Sequence, residues 1–139
     1  MEPRRVRLHL WPGFYAIARL AAVPELPGDV TPGGPPVTLT VGHGEVSLIA
    51  PEALVDGLRV AIEEISRGWR ALTLDVVLPH GTVGVLAAVG DALARIAVPV
   101  MVCSSHDTDH FLVPAAQLGR ALAAINGIDL ERFLPPQES

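Results

Sequence analysis

Three stretches decide the fold: Leu72-Thr-Leu-Asp-Val-Val-Leu78, Pro79-His-Gly-Thr-Val-Gly-Val-Leu86 and Ser104-Ser-His-Asp-Thr-Asp-His-Phe-Leu-Val113. Leu72, Leu74, Val76 and Leu78 alternate with Thr73, Asp75 and Val77, the period-two pattern of a strand. A turn containing Gly81 and Gly84 follows. It opens a helix over residues 83–96, with Val83, Leu86, Val89, Leu93 and Ile96 forming an apolar stripe at spacings of three and four. Gly84, Ala87, Ala88 and Ala94 on the other positions let a neighbouring layer approach closely. Residues 98–103 are apolar throughout, as expected of an internal strand covered on both faces. They end in hydroxyls and carboxylates, and residues 109–113 form the next strand. Backbone N–H groups at a helix start and acidic side chains at a strand end are thereby placed to meet. That pairing suits a small zwitterion, which carries a carboxylate and an ammonium. No nucleophile–base pair is evident in the sequence, so a binding module is expected ahead of an enzyme.

Working outward, Pro114 stands where a further helix begins. Leu118, Leu122 and Ile125 form its stripe, and Asn126-Gly127 ends it. The second half therefore reads β-α-β-β-α, with a right-handed crossover for its parallel β-α-β part. The first half is rich in strands. Val6, Leu8 and Leu10 interleave with Arg5, Arg7 and His9, Phe14, Ala16 and Ala18 interleave with Tyr15, Ile17 and Arg19, and the intervening Pro12-Gly13 suggests a hairpin. Residues 24–36 hold five prolines and three glycines and must form a surface loop. Residues 37–41 and 45–49, joined by Gly42-His-Gly44, read as a second hairpin. Residues 51–56 begin a helix. Leu54, Leu58, Ile62 and Ile65 keep helical spacing beyond it, whereas Gly57 and the β-branched residues argue against continuation.

The chain has 139 residues, half of them hydrophobic but only 4% aromatic, so Val, Leu, Ile and Ala must fill its core. A net charge of −5 argues against a nucleic-acid partner, and Arg4, Arg5 and Arg7 read as the polar edge of a first strand. A lone Cys103 precludes an intrachain disulfide and suits a reducing cytoplasm. No signal peptide is visible, and the apolar run 83–102 is interrupted by Gly84, Gly90, Asp91, Arg95 and Pro99, which excludes a membrane span there.

Two clusters carry candidate chemistry. Around Thr82, Val83, Gly84 and Val85 the N–H groups of a helix start attract anions, with Thr82 as the N-cap. Ser104, Ser105, Asp107 and Asp109 offer acceptors for an ammonium or guanidinium group. The same residues are also what an ordinary strand-to-helix turn and a polar hairpin would use. If residue 109 begins a strand, Asp109 shares a face with Phe111, and His110 points to the opposite one. His106 and His110 have i,i+4 spacing, which places metal ligands together on a helix and not on a turn and strand, so no metal site is expected. Cys103 at the end of an apolar strand reads as a buried, unreactive thiol. Trp11 and Trp69 read as core or interface anchors. No phosphate loop, dinucleotide fingerprint or G-x-S-x-G is present.

Gly84-Val-Leu-Ala87, Ser104-Ser105, Asp107-Thr-Asp109 with Leu112-Val113, Trp69-Arg-Ala-Leu72, Tyr15-Ala-Ile-Ala-Arg-Leu20 and Gly44-Glu-Val-Ser-Leu-Ile49 occur in one order and spacing. Taken together, over most of residues 6–127, the chain resembles the small two-part ACT-domain proteins of the aspartokinase/CASTOR type. The resemblance implies an α/β fold (an α+β sandwich) of tandem ferredoxin-like βαββαβ units. It also implies pairing into homodimers and amino-acid binding in a sensor role. The expected division is an N-terminal half over residues 1–66, a C-terminal ACT-like domain over 67–130 and a tail over 131–139. Three departures accompany it. No helix separates the first strands, so the first unit is degenerate. No clear last strand follows residue 127, which makes the N-terminal strand the candidate for that sheet edge. His106 and His110 stand where aromatic residues are expected.

The expected function is non-catalytic amino-acid binding through Thr82, Val83, Gly84, Val85, Ser104, Asp107 and Asp109, with no cofactor, metal, nucleic acid or membrane involved. The alternative is a protein-interaction module without a small ligand. A small enzyme using His80, His106 or Asp109 is the third reading.

Overall fold

The computed structural model describes residues 7–135. Its elements are β1 (Leu8–Leu10), β2 (Tyr15–Leu20), β3 (Thr38–Gly42), β4 (Glu45–Pro51), α1 (Glu52–Asp56), β5 (Ile62–Leu74), α2 (Val85–Arg95), β6 (Met101–Ser104), β7 (Asp109–Pro114) and α3 (Leu118–Asn126). Short 3-10 turns occupy Ala115–Gln117 and Leu130–Phe133. Two compact units result. One is Trp11–Arg70, and the other joins residues 7–10 to residues 71–135.

In the Trp11–Arg70 unit the strand order is β3-β4-β2-β5, each neighbour antiparallel. The β3–β4 hairpin closes where expected. His43 (φ 52°) and Gly44 (φ 81°) both take the positive φ that a tight two-residue turn requires. Ala16, Ala18, Leu20, Leu48, Ala50 and Val55 form its core. Residues 21–37 contain no helix, as the proline count demands. The Tyr15 hydroxyl, on a buried ring, donates to the Pro36 carbonyl at 2.7 Å and ties this loop to β2. α1 stops at Asp56, and Ile62 and Ile65 belong to β5, so the helical spacing beyond Gly57 was coincidental. Pairing with β2 decides in favour of the strand.

In the other unit β5 contributes its last residues, and the order is β1-β5-β7-β6. β1 pairs antiparallel with β5 through Leu8↔Leu74, His9↔Thr73 and Leu10↔Leu72. The expected hairpin between the first two strands is therefore incorrect: β1 and β2 both pair with β5, but along different parts of it. β1 takes the edge for which no strand exists after α3, where the chain makes a 3-10 turn instead. The core of this unit holds Leu72, Leu74, Val89, Leu93, Phe111, Val113 and Ile125, all at most 1% exposed. Full burial of each such side chain contributes about 1.5–3 kcal/mol.

Three further expectations change. β5 ends at Leu74, four residues early, although Val76 and Leu78 still pack against the core. The buried stripe of α2 is Val85, Val89 and Leu93, whereas Val83 is 82% exposed and Leu86 50%. The helix starts two residues later than the periodicity suggested, which turns Val83 outward. β6 is the last strand of its order, not an internal one, and its Met101 and Val102 are exposed. Unbroken apolarity here marks an edge strand whose outer face is uncovered.

Candidate functional site

The connection between β5 and α2 is irregular because its hydrogen bonds go to other segments. The Asp75 N–H donates to the Arg7 carbonyl at 2.7 Å, and the Leu78 N–H to the Asp107 carbonyl at 2.6 Å. In return the Thr108 hydroxyl donates to the Leu74 carbonyl at 2.7 Å. His80 Nε2 lies 2.7 Å from the His106 carbonyl, so Nε2 must carry the proton. The two imidazoles meet edge to face with centroids 4.7 Å apart. These contacts join the turn after β5 to the turn after β6.

Between the two turns lies an open cleft of about 200 Å³. One wall is Thr82, Gly84, Val85 and Leu86 at the start of α2; the other is Ser105 to Asp109. Among the described residues lining it there is no lysine or arginine. Gly84, not Thr82, is the N-cap of α2, with φ 101° and no side-chain cap hydrogen bond. Thr82 instead closes a turn by donating its N–H to the Pro79 carbonyl at 2.9 Å, and its buried hydroxyl oxygen has no partner. An α-helix capped in this way leaves its first N–H groups without intrahelical acceptors. They give this wall its positive character.

The opposite wall is acidic and internally braced. Ser104 Oγ donates to Asp109 Oδ1 at 2.7 Å, and His106 Nδ1 lies 2.8 Å from Asp107 Oδ1. Ser105 donates its N–H to the Thr108 carbonyl at 2.9 Å and closes the turn. The His110 ring spans two elements. Nδ1 is 2.8 Å from Thr73 Oγ1 on β5, and Nε2 is 3.1 Å from Ser105 Oγ. Burial lowers the His110 pKa, partly offset by the Asp109 charge, so the ring stays neutral at neutral pH.

Of the residues expected at the site, Thr82, Gly84, Val85, Asp107 and Asp109 line the cleft. Val83 does not, and Ser104 acts from behind Asp109. Strand alternation set His110 on the face away from Asp109, yet its ring reaches Ser105 in the cleft wall. Ser105, grouped with the acceptors Ser104, Asp107 and Asp109, lines the cleft too, whereas His80, His106 and Thr108 were not expected as ligand-lining residues. The sequence held no signal for this, because the Leu78–Asp107 and Thr108–Leu74 bonds that fold the two turns together span 29 and 34 positions. The Ser105–His110 contact, a hydroxyl 3.1 Å from an imidazole nitrogen, is one that the sequence did not suggest. Among the described residues, no group of three or more His, Cys, Asp or Glu side chains is placed to hold a metal ion. His106 and His110 point to different partners, Asp107 and Thr73. Cys103 is buried on β6.

Residues 64–127 match the family model of the ACT domain. This region is an ACT domain. It contains β5 from its third residue, α2, β6, β7 and α3, and hence both walls of the cleft. A structure of an Agobacterium tumefaciens protein is similar at 25% identity and a TM-score of 0.67, with 89% of each chain covered. Aspartate kinase of Clostridium acetobutylicum, an allosteric enzyme, is similar at 15% identity and a TM-score of 0.58 over 86% of this chain and 33% of that one. The regulatory subunit of Thermus thermophilus aspartate kinase is similar at 12% and 0.51, over 86% and 94%. At such identities the kinase likenesses speak for the fold alone, over a span that takes in most of both units. Among curated proteins, none matches the sequence significantly.

Proposed function

We propose that the chain is a regulatory protein whose ACT domain binds an amino acid in the cleft between the α2 start and the β6–β7 turn. The observation that carries this reading is the opposition across about 200 Å³ of the α2 start, whose first N–H groups have no intrahelical acceptors, and the carboxylates Asp107 and Asp109. A ligand carboxylate meets the N–H groups around Val83, Gly84 and Val85, near Thr82. Asp109, with Oδ1 held by Ser104, turns Oδ2 to the ammonium, and Asp107 assists. The aspartate kinase relatives, one a regulatory subunit and one an allosteric enzyme, support a regulatory role. The two units then act as ACT-like halves of one sensor, the first lacking a helix. A cytoplasmic setting fits the single buried Cys103. No helix among the described residues is long and apolar enough to cross a membrane.

A thermal-shift screen of the twenty amino acids tests the reading, since a ligand that binds only the folded state raises its stability. For the hit, Asp109→Asn is expected to weaken binding about tenfold or more, because a charge-assisted contact contributes about 1.5–3 kcal/mol. Calorimetry giving equal affinities for the two proteins removes Asp109, and this pose, from consideration.

The second reading, assembly through the sheet, is favoured by one observation. β6 is an edge strand with Met101 and Val102 exposed, and such edges are normally covered. Pairing into a homodimer would cover it. Sedimentation at micromolar to near-millimolar concentration is expected to show a dimer, and a monomer throughout that range would refute the pairing.

A further inference from the structure

Ser105 is exposed, lines the cleft and places Oγ 3.1 Å from Nε2 of His110. Beyond the ring, Nδ1 lies 2.8 Å from Thr73 Oγ1, so two contacts on different elements fix the imidazole plane. With the proton on Nδ1 donated to Thr73, the Nε2 lone pair faces the serine hydroxyl. That hydroxyl has one proton to place, on the Thr108 carbonyl at 3.2 Å or on Nε2. Rotation about one C–O bond exchanges the two. Burial keeps His110 neutral, as a general base must be at neutral pH. Across the cleft stand Gly84, Val85 and Leu86, where the helix start presents N–H groups suited to a developing oxyanion.

We propose that Ser105 is a nucleophile that accepts acyl groups from activated esters, with His110 as its general base and Thr73 as the positioning residue. Oγ attacks the ester carbonyl carbon while its proton passes to His110 Nε2. The carbonyl π pair moves onto oxygen as an oxyanion facing the α2 start. Collapse of this adduct breaks the bond to the leaving oxygen, which takes the proton from Nε2 and departs as an alcohol or phenol. An O-acyl Ser105 remains. Water deprotonated by Nε2 then attacks the acyl carbon, releases the carboxylic acid and restores the serine. The activity goes beyond amino-acid binding, because holding a carboxylate on backbone N–H groups does not require Ser105 Oγ.

The probe is p-nitrophenyl acetate, with p-nitrophenol release and peptide mass mapping as readouts. The chain contains no lysine, so acetylation at ε-amines cannot obscure the result. Wild type is expected to release p-nitrophenol above the buffer rate and to carry one acetyl group on the peptide holding Ser105. Ser105→Ala should lose that acetyl group, and His110→Ala should slow its formation about 100-fold. Thr73→Val should slow it less and Thr73→Ser should restore it, which a merely structural role for Thr73 would not produce. Ser47→Ala in the other unit is the control and should match wild type. Unchanged thermal midpoints show that the Ser105 and His110 variants are folded. Where a variant is not folded, fluorophosphonate labelling of the wild-type peptide decides, with label on Ser105 supporting the proposal and its absence refuting it. Wild-type release no faster than buffer, or equal release and acetylation in Ser105→Ala, overturns the proposal. Calorimetric amino-acid binding by Ser105→Ala is a separate measurement, so loss of the acylation reading leaves the binding reading to stand or fall by itself.

Discussion

A chain beginning at Trp11 is expected to destabilise the unit containing residues 71–135 by about 4 kcal/mol, a large part of the roughly 5–15 kcal/mol that holds a domain folded. Two losses make up the figure. Removing β1 breaks its three-pair ladder with β5 and the bond from the Asp75 N–H to the Arg7 carbonyl, each hydrogen bond being worth about 0.5–1.5 kcal/mol. It also strips Leu8 from the core and opens one side of Leu72 and Leu74, now at most 1% exposed, for about another 1–2 kcal/mol. Urea unfolding followed by hydrogen exchange at Phe111 and Leu112 measures the effect. Loss of protection at those strand residues, with residues 15–20 still protected, is the expected pattern. Full protection would mean that the β5 edge does not need β1. The same experiment bears on domain organisation, because a fragment cut at residue 67 would lack the strand that completes its own sheet.

That dependence was legible in advance only as an absence. After Gly127 the sequence offers no strand, and a βαββαβ unit lacking its last strand must find one elsewhere. The alternation of Leu8 and Leu10 supplied the candidate, and the pairing with Leu72 and Leu74 agrees. The hairpin with residues 14–19 was misjudged for a physical reason. A Pro-Gly break between two alternating segments says that the chain turns, not which strand each segment joins, and β5 is long enough to accept both. Periodicity located α2 and α3 well, because buried stripes at 3.6-residue spacing depend on local geometry. It misplaced the start of α2, since that is set by Gly84 in the left-handed region and no apolar spacing reports a φ of 101°. The two walls of the cleft were legible as residue types. Their bracing was not, because His80, Thr108 and His110 act through bonds to residues 26, 34 and 37 positions away.

Gly84→Ala is expected to cost about 2–4 kcal/mol. Two independent penalties combine. At φ 101° an L side chain is strained, at about 1–3 kcal/mol. A Cβ built there would also come within 2.8 Å of Phe133 Cε1 and 2.9 Å of Cδ1, closer than atoms tolerate. The Phe133 ring can swing away, but it is partly buried against the core of the unit and carries the Arg132 guanidinium 4.6 Å from its centroid, so its displacement disturbs the 3-10 turn Leu130–Phe133. A double variant separates the penalties. Gly84→Ala with Phe133→Ala removes the clash and leaves the backbone strain, so the glycine substitution should cost less in that background, by about 1 kcal/mol or more. Because the strain falls on the residue that aims the first N–H groups of α2, ligand affinity should decline together with stability. Chemical denaturation of the four proteins in the cycle gives the coupling directly. A Gly84→Ala protein as stable as wild type would mean that the α2 start relaxes freely, and a wall that relaxes freely cannot hold an anion in one place.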